Sequence, residues 1–177
     1  MTGTCLGRPD RSLSETQKTL AFFTNSFAGH FLFGAFLLST GELIGEGGMH
    51  TLNSEMAGWP EVGYKFMKEY WGRGYATEFL GAVLGAWWGL NRQGTEVDVY
   101  VLTMDGKVTK AGAEIGAGNM VTEKVYANTE IDNVASQKVL EKLGFVKFIE
   151  WTEPDTQEHR LGEPVTLVGF ILSRPRS

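Results

Sequence analysis

A mixed α/β domain is the fold class the sequence predicts, and three observations predict it. Strand-like and helix-like stretches alternate along all 177 residues. Apolar residues make up 42% of the chain against 21% charged, enough to bury a real core in one domain at this length. Glycine, at 23 residues, is nearly twice its usual share, yet the glycines punctuate the alternation instead of gathering in tracts.

The elements follow in order. Thr16 to Asn25 reads as a short amphipathic helix with Ser14 as its N-cap. Phe31 to Leu38 reads as a strand, Ser39-Thr40-Gly41-Glu42 as a turn, and Leu43 to Leu52 as the returning strand of a hairpin. After the break at Trp59-Pro60, Glu61 to Met67 alternates Val62, Tyr64 and Phe66 with other residues, the period of a strand. Ala76 to Leu90 is helix-compatible, with Gly81, Gly85 and Gly89 striping one face. Each glycine there costs about 1 kcal/mol against alanine, which close backbone packing would offset. Residues 92–120 carry a strand-like VDVYVL and a turn at Asp105-Gly106, and are read as an insertion within a single 1–177 domain. Thr122 to Thr129 is a strand, and Asp132 to Leu143 a helix stopped by Gly144 at C′. Phe145 to Trp151 and Val165 to Leu172 form a last pair of strands.

Composition excludes several function classes. A formal charge of −5 with no basic run repels a phosphate backbone, so no nucleic-acid partner is expected. The apolar stretches Phe27 to Leu38 and Phe79 to Leu90 fall short of the roughly 20 residues a membrane span needs, and the first twenty residues hold no apolar signal core. No membrane association is expected. Cys5 stands alone, so no disulfide framework exists, and a cytoplasmic protein, or a nuclear one, is expected. His30, His50 and His159 lack companions at ligand spacing, so no metal site is expected.

Among phosphate-binding patterns, G-x-x-x-x-G-K-[ST] is absent, and Gly45-Glu46-Gly47 and Gly116-Ala117-Gly118 lack the third glycine of a dinucleotide fingerprint, so both read as turns. The G-x-S-x-G elbow of serine hydrolases is absent too. What remains is Gly72-Arg73-Gly74-Tyr75-Ala76 between a strand and a helix. That placement aims successive N–H groups and a helix N-terminus at one point, an anion cradle with Arg73 beside it.

EVGYKFMKEYWGRGYATEF, followed downstream by NVASQKVLEKLGF, resembles the Gcn5-related N-acetyltransferases, in particular the ribosomal-protein N-terminal (RimJ/RimL-like) branch. The family signature [QR]-x-x-G-x-[GA] is met by Trp71, Gly72, Arg73, Gly74, Tyr75 and Ala76, with Trp71 departing from it. The resemblance runs from Leu13 to Pro175. It implies a mostly antiparallel central sheet flanked by helices, and acetyl-CoA as co-substrate for acetyl transfer to a primary amine. Family members usually open with a strand and a helix ahead of the element at Thr16. Their absence here implies an unpaired strand edge, which a second copy of the chain could cover as a homodimer.

The resemblance also implies roles. Trp71 through Thr77 would hold the pyrophosphate, and the backbone of Lys65, Phe66 and Met67 the pantetheine arm, with the amide of Phe66 or Met67 as oxyanion donor. Glu61 is the first candidate for the base that deprotonates the amine, with Glu46 and His50 as rivals. The position where many members carry a proton-donating tyrosine is Leu140, which leaves Ser136 as the nearest hydroxyl on that helical face, while Asn133 would bind the pantetheine amides. The other reading is a catalytically idle acyl-CoA-binding or scaffold module.

Overall fold

The computed structural model describes residues 10–25, 30–103 and 121–175. Its elements are α1 (Leu13–Asn25), β1 (Phe31–Phe36), β2 (Leu43–Thr51), β3 (Glu61–Phe66), α2 (Tyr75–Trp88), β4 (Lys124–Glu130), α3 (Val134–Lys142), β5 (Val146–Pro154) and β6 (Pro164–Ser173). The six strands form one sheet in the order β1-β2-β3-β4-β6-β5, antiparallel throughout except between β3 and β4. Cys5, the Asp105-Gly106 turn and Gly116-Ala117-Gly118 lie outside the described residues.

α2 and α3 pack on one face of the sheet. Leu80, Val83, Leu84 and Trp87 recur at helical spacing along α2 and are all buried. Leu80, Leu84 and Trp87 join Met49, Val62, Val125, Ala127, Val168 and Phe170 from the sheet, and Leu140 and Phe145 from α3 and its exit. α3 ends as expected at Gly144, whose φ is +87°. The Phe145 N–H bonds to the Leu140 carbonyl and the Gly144 N–H to that of Glu141, the paired bonds of a Schellman stop. The end of α2 is tied down by Arg92, which donates to the Trp87 carbonyl at 2.8 Å and to Glu123 at 2.9 Å.

The opposite face is covered by a smaller cluster. Ala57 and Trp59 from the β2–β3 loop pack on Tyr126, with Val99, Phe148, Trp151 and Ile171 around them.

Four expectations are corrected. Gly45-Glu46-Gly47 is no turn but the interior of β2, where a Cβ at Gly45 would lie 2.6 Å from the Phe66 ring and one at Gly47 2.7 Å from Tyr64 Cβ. The bare backbone is what lets these two β3 side chains lie across β2. VDVYVL is not a strand: its backbone docks on the β2–β3 loop through Tyr100 N–H to Ala57 O at 3.1 Å, and Trp59 Nε1 reaches Thr103 Oγ1 at 2.7 Å. The Gly81, Gly85, Gly89 stripe is not a close-packing surface, since a Cβ at Gly85 would meet nothing and one at Gly81 only Leu143 at 3.5 Å. Ser12, not Ser14, caps α1, its Oγ accepting from Glu15 N–H at 3.2 Å.

Candidate active site

β3 and β4 are parallel and touch at a single register pair, Glu61 with Tyr126. Tyr126 N–H donates to Pro60 O at 2.8 Å, and no further pair follows. From Glu61 onward the two strands part. Peptide groups alternate edges along a strand. Pro60 O faces β4, whereas Met67 N–H donates back to Ile44 O on β2, at 2.9 Å. The peptide N–H groups of Tyr64 and Phe66 therefore open into the gap, and that of Met67 does not. This corrects Met67 as an oxyanion donor and leaves Phe66.

At the far end of the gap the chain turns through Gly72 and Gly74, with φ of +73° and +88°. These are left-handed conformations that glycine adopts without strain. Gly74 is the N-cap of α2, and the first helical bond runs from Glu78 N–H to Gly74 O, so the amides of Tyr75, Ala76 and Thr77 have no partner within the helix. A Cβ at Gly72 or Gly74 would meet nothing within 4 Å, so the cradle is open to a ligand and its donor set suits a pyrophosphate. Arg73 lies beside it over the Tyr70 ring, 5.8 Å from the centroid. The departure at Trp71 has a structural reason: its Nε1 donates to Phe66 O at 2.8 Å and latches the loop to the end of β3.

The first turn of α3 stands on the β4 side. Asn133 is its N-cap, the side-chain Oδ1 accepting from Ser136 N–H at 3.1 Å. Leu140 is 2% exposed and belongs to the main core. A hydroxyl that sequence reasoning missed approaches here: Tyr64 Oη lies 3.5 Å from Ser136 O, spanning from β3 to α3. Burial pushes the Tyr64 phenol above its ordinary range, so it stays protonated at neutral pH. Its place in the alternation Val62, Tyr64, Phe66 was legible; its reach to another element was not.

Glu61 sits where the gap begins, half-buried, and Asn128 Nδ2 donates to its Oε1 at 3.0 Å. Burial raises its carboxyl above the usual range, and the Asn128 bond opposes that shift. The two rivals share the sheet face with Glu61. Glu46 is paired with Lys65 at 2.7 Å. His50 lies over Gly63, where a Cβ would come within 2.9 Å of its ring, and burial holds its imidazole below the ordinary value. Glu61 stands at the start of the gap, the Phe66 amide opens into it, Gly72–Thr77 follow at its far end, and Tyr64 reaches from β3 to Ser136 behind the Asn133 cap of α3, whereas Glu46 is paired with Lys65. A cleft of about 400 Å³ between residues 53–58 and 98–100 is lined by none of them. Among the described residues no cluster of His, Cys, Asp and Glu could hold a metal ion, and no helix is long and apolar enough to cross a membrane.

A sheet split between two parallel strands, with an anion cradle at the end of the split, defines a class of enzymes that thread an acyl-CoA through the gap. The model of the acetyltransferase (GNAT) domain matches residues 4–146, and the chain belongs to that family: it is an acetyl-CoA-dependent N-acetyltransferase. Solved structures share the fold. A chimera of the spermidine N-acetyltransferase SpeG from Vibrio cholerae and hSSAT aligns with a TM-score of 0.62 at 14% identity, over 98% of this chain and 85% of that one. The GNAT-family acetyltransferase from Bacillus anthracis aligns at 0.58 and 16%, over 91% and 74%. The ribosomal-protein-S5-alanine acetyltransferase from Vibrio fischeri aligns at 0.57 and 17%, over 94% and 78%. No curated protein matches the sequence.

Proposed function

We propose that this enzyme transfers acetyl from acetyl-CoA directly to a primary amine, either a protein N-terminus, as in the RimJ/RimL-like branch, or a small-molecule amine such as a polyamine. The observation that carries the proposal is the gap itself, with a half-buried carboxylate at its start and a glycine-led helix N-terminus at its end. The pyrophosphate is held by the amides from Gly72 to Thr77, with Trp71 latching the loop, and the pantetheine arm lies along Tyr64 and Phe66, within reach of Asn133. The Phe66 N–H stabilises the oxyanion. Glu61 takes the proton from the alkylammonium, whose pKa near 10 otherwise keeps it from attacking. Ser136 or Tyr64 returns a proton to the departing thiolate. Spermidine and an alanine of ribosomal protein S5 are the acceptors named for structural neighbours, in keeping with an amine acceptor here.

The test has two stages. Acetyl-CoA at 100 times its dissociation constant should stabilise the fold by about 2.7 kcal/mol. Thiol release should then appear with at least one member of a panel of ribosomal-protein N-terminal peptides, polyamines and arylamines. Stabilisation without thiol release from any amine would favour the idle acyl-CoA-binding module, a reading supported by the core leucine at position 140.

Two further elements belong to this reading. β1 is an edge strand among the described residues, and Phe33 and Phe36 on it are exposed. A second copy pairing there across a two-fold axis would cover that edge, and light scattering at high micromolar concentration would show a dimer. The lone Cys5 and acidic composition suit work in the cytoplasm.

A further inference from the structure

We propose that Asn128 is the positioning residue of the base: it holds one oxygen of the Glu61 carboxylate across the mouth of the β3–β4 gap and leaves the other to receive the amine's proton. The inference rests on the acetyl-transfer reading above. Its geometric basis is independent of any bound molecule. Backbone pairing between the strands is confined to the Glu61–Tyr126 register, where Tyr126 N–H donates to Pro60 O. Two residues further along β4, where backbone pairing has stopped, Asn128 Nδ2 supplies a side-chain rung to Glu61 Oε1 at 3.0 Å. Paired residues on neighbouring strands share a face, and so do residues two apart. Glu61, Tyr126 and Asn128 therefore lie together on the face away from α2 and α3.

The surroundings give Asn128 its weight. From β2, Thr51 is the register partner of Glu61, and His50 lies nearby over Gly63, its imidazole held neutral by burial. From β4, Tyr126 is fully buried; burial first, and then the negative charges of Glu61 and of Glu153 on β5, push its phenol upward, while the Asn128 side chain beside it opposes them. Lys65 lies on the same face and is paired with Glu46, and among the described residues no cation contributes to the Glu61 shift. Asn128 is the group that favours the ionised carboxylate against burial. A donor on the opposite strand also fixes the carboxylate relative to both walls of the gap, which a donor on β3 would not do.

The test reads the Glu61 carboxyl directly, in the intact protein labelled with glutamate carrying ¹³C at the carboxyl carbon. Glu61→Gln assigns its resonance. In Asn128→Ala the Glu61 titration midpoint should rise by about one unit, since two or three such bonds can bring a carboxyl below 2. Asn128→Gln, which keeps the donor, should move it less, and Asn128→Asp, which adds a second carboxylate, should move it more. With an acceptor found in the thiol-release panel, the acid limb of kcat/KM should move by the same amount. An unchanged midpoint in Asn128→Ala overturns the proposal, provided the variant keeps its acetyl-CoA-induced thermal shift. So does a midpoint that moves while the acid limb stays in place. Failure of wild-type protein to be stabilised by acetyl-CoA would sink the acetyl-transfer reading instead, and the titration alone would then report on the Asn128 contact.

Discussion

β4 has two neighbours and treats them differently. Against β6 all of Lys124–Glu130 is in register, Lys124 with Ser173 through to Glu130 with Leu167. Against β3 one pair forms, and the strands then separate. The anchored edge carries stability: Val125, Ala127, Val168 and Phe170 are buried together under α2 and α3. The open edge offers the unpaired peptide groups and the helix N-terminus that the proposed chemistry needs as donors to a thioester and a pyrophosphate. The contrast teaches that the sheet gives up backbone pairing on one side of a strand it holds firmly on the other.

Predictions follow from that contrast in decreasing size. Phe170→Ala, at a fully buried position on the anchored edge, should cost about 3–5 kcal/mol in chemical unfolding. The affinity of the folded fraction for acetyl-CoA should stay close to wild type. A large affinity loss would mean that the two edges are not separable. Gly74→Val works in the reverse direction. No atom lies where its Cβ would go, so the strain is conformational, about 1–2 kcal/mol for a side chain held at positive φ, and the acetyl-CoA-induced thermal shift should disappear.

Glu61→Gln should lower turnover by roughly 10²–10⁴ at neutral pH. The rate should recover as pH rises toward the acceptor's own pKa, where free amine forms without a base. Stability should move oppositely. A carboxyl raised by burial favours the folded state only while protonated, and that contribution is lost as pH rises through its folded value. The variant should therefore melt higher than wild type at neutral pH, and the gain should vanish below the ordinary carboxylate range. A melting difference independent of pH would show that Glu61 is not carried as a buried anion.

The smallest effect separates the two hydroxyls at α3. Tyr64→Phe removes a contact at the long limit of hydrogen bonding and should cost at most about 0.5 kcal/mol of stability. If Tyr64 protonates the thiolate, turnover falls roughly tenfold across the pH range with acetyl-CoA binding unchanged. If Ser136 does so, Ser136→Ala gives that signature and Tyr64→Phe does not. Wild-type turnover in both variants would assign the proton to water.

The sequence by itself determined the features set by a few neighbouring residues. Gly72 and Gly74 dictate a left-handed turn into a helix, the alternation from Glu61 to Phe66 dictates a strand leading to that turn, and Gly144 dictates the end of α3. The cradle and the position of Glu61 at the strand's start were therefore legible, because backbone conformation is a local property. Only the tertiary structure decided what depends on the choice of partner. Gly45 and Gly47 read as a turn until Tyr64 and Phe66 are seen to need their bare backbone. Met67 and Phe66 are adjacent in sequence, yet one N–H is taken by Ile44 and the other faces the gap, because neighbouring peptide groups point to opposite edges. Asn128 is 67 residues from Glu61, and Tyr64 is 72 from Ser136. No local preference encodes such a pairing; it arises when packing of α2 and α3 on one face brings β3 and β4 side by side and then lets them part.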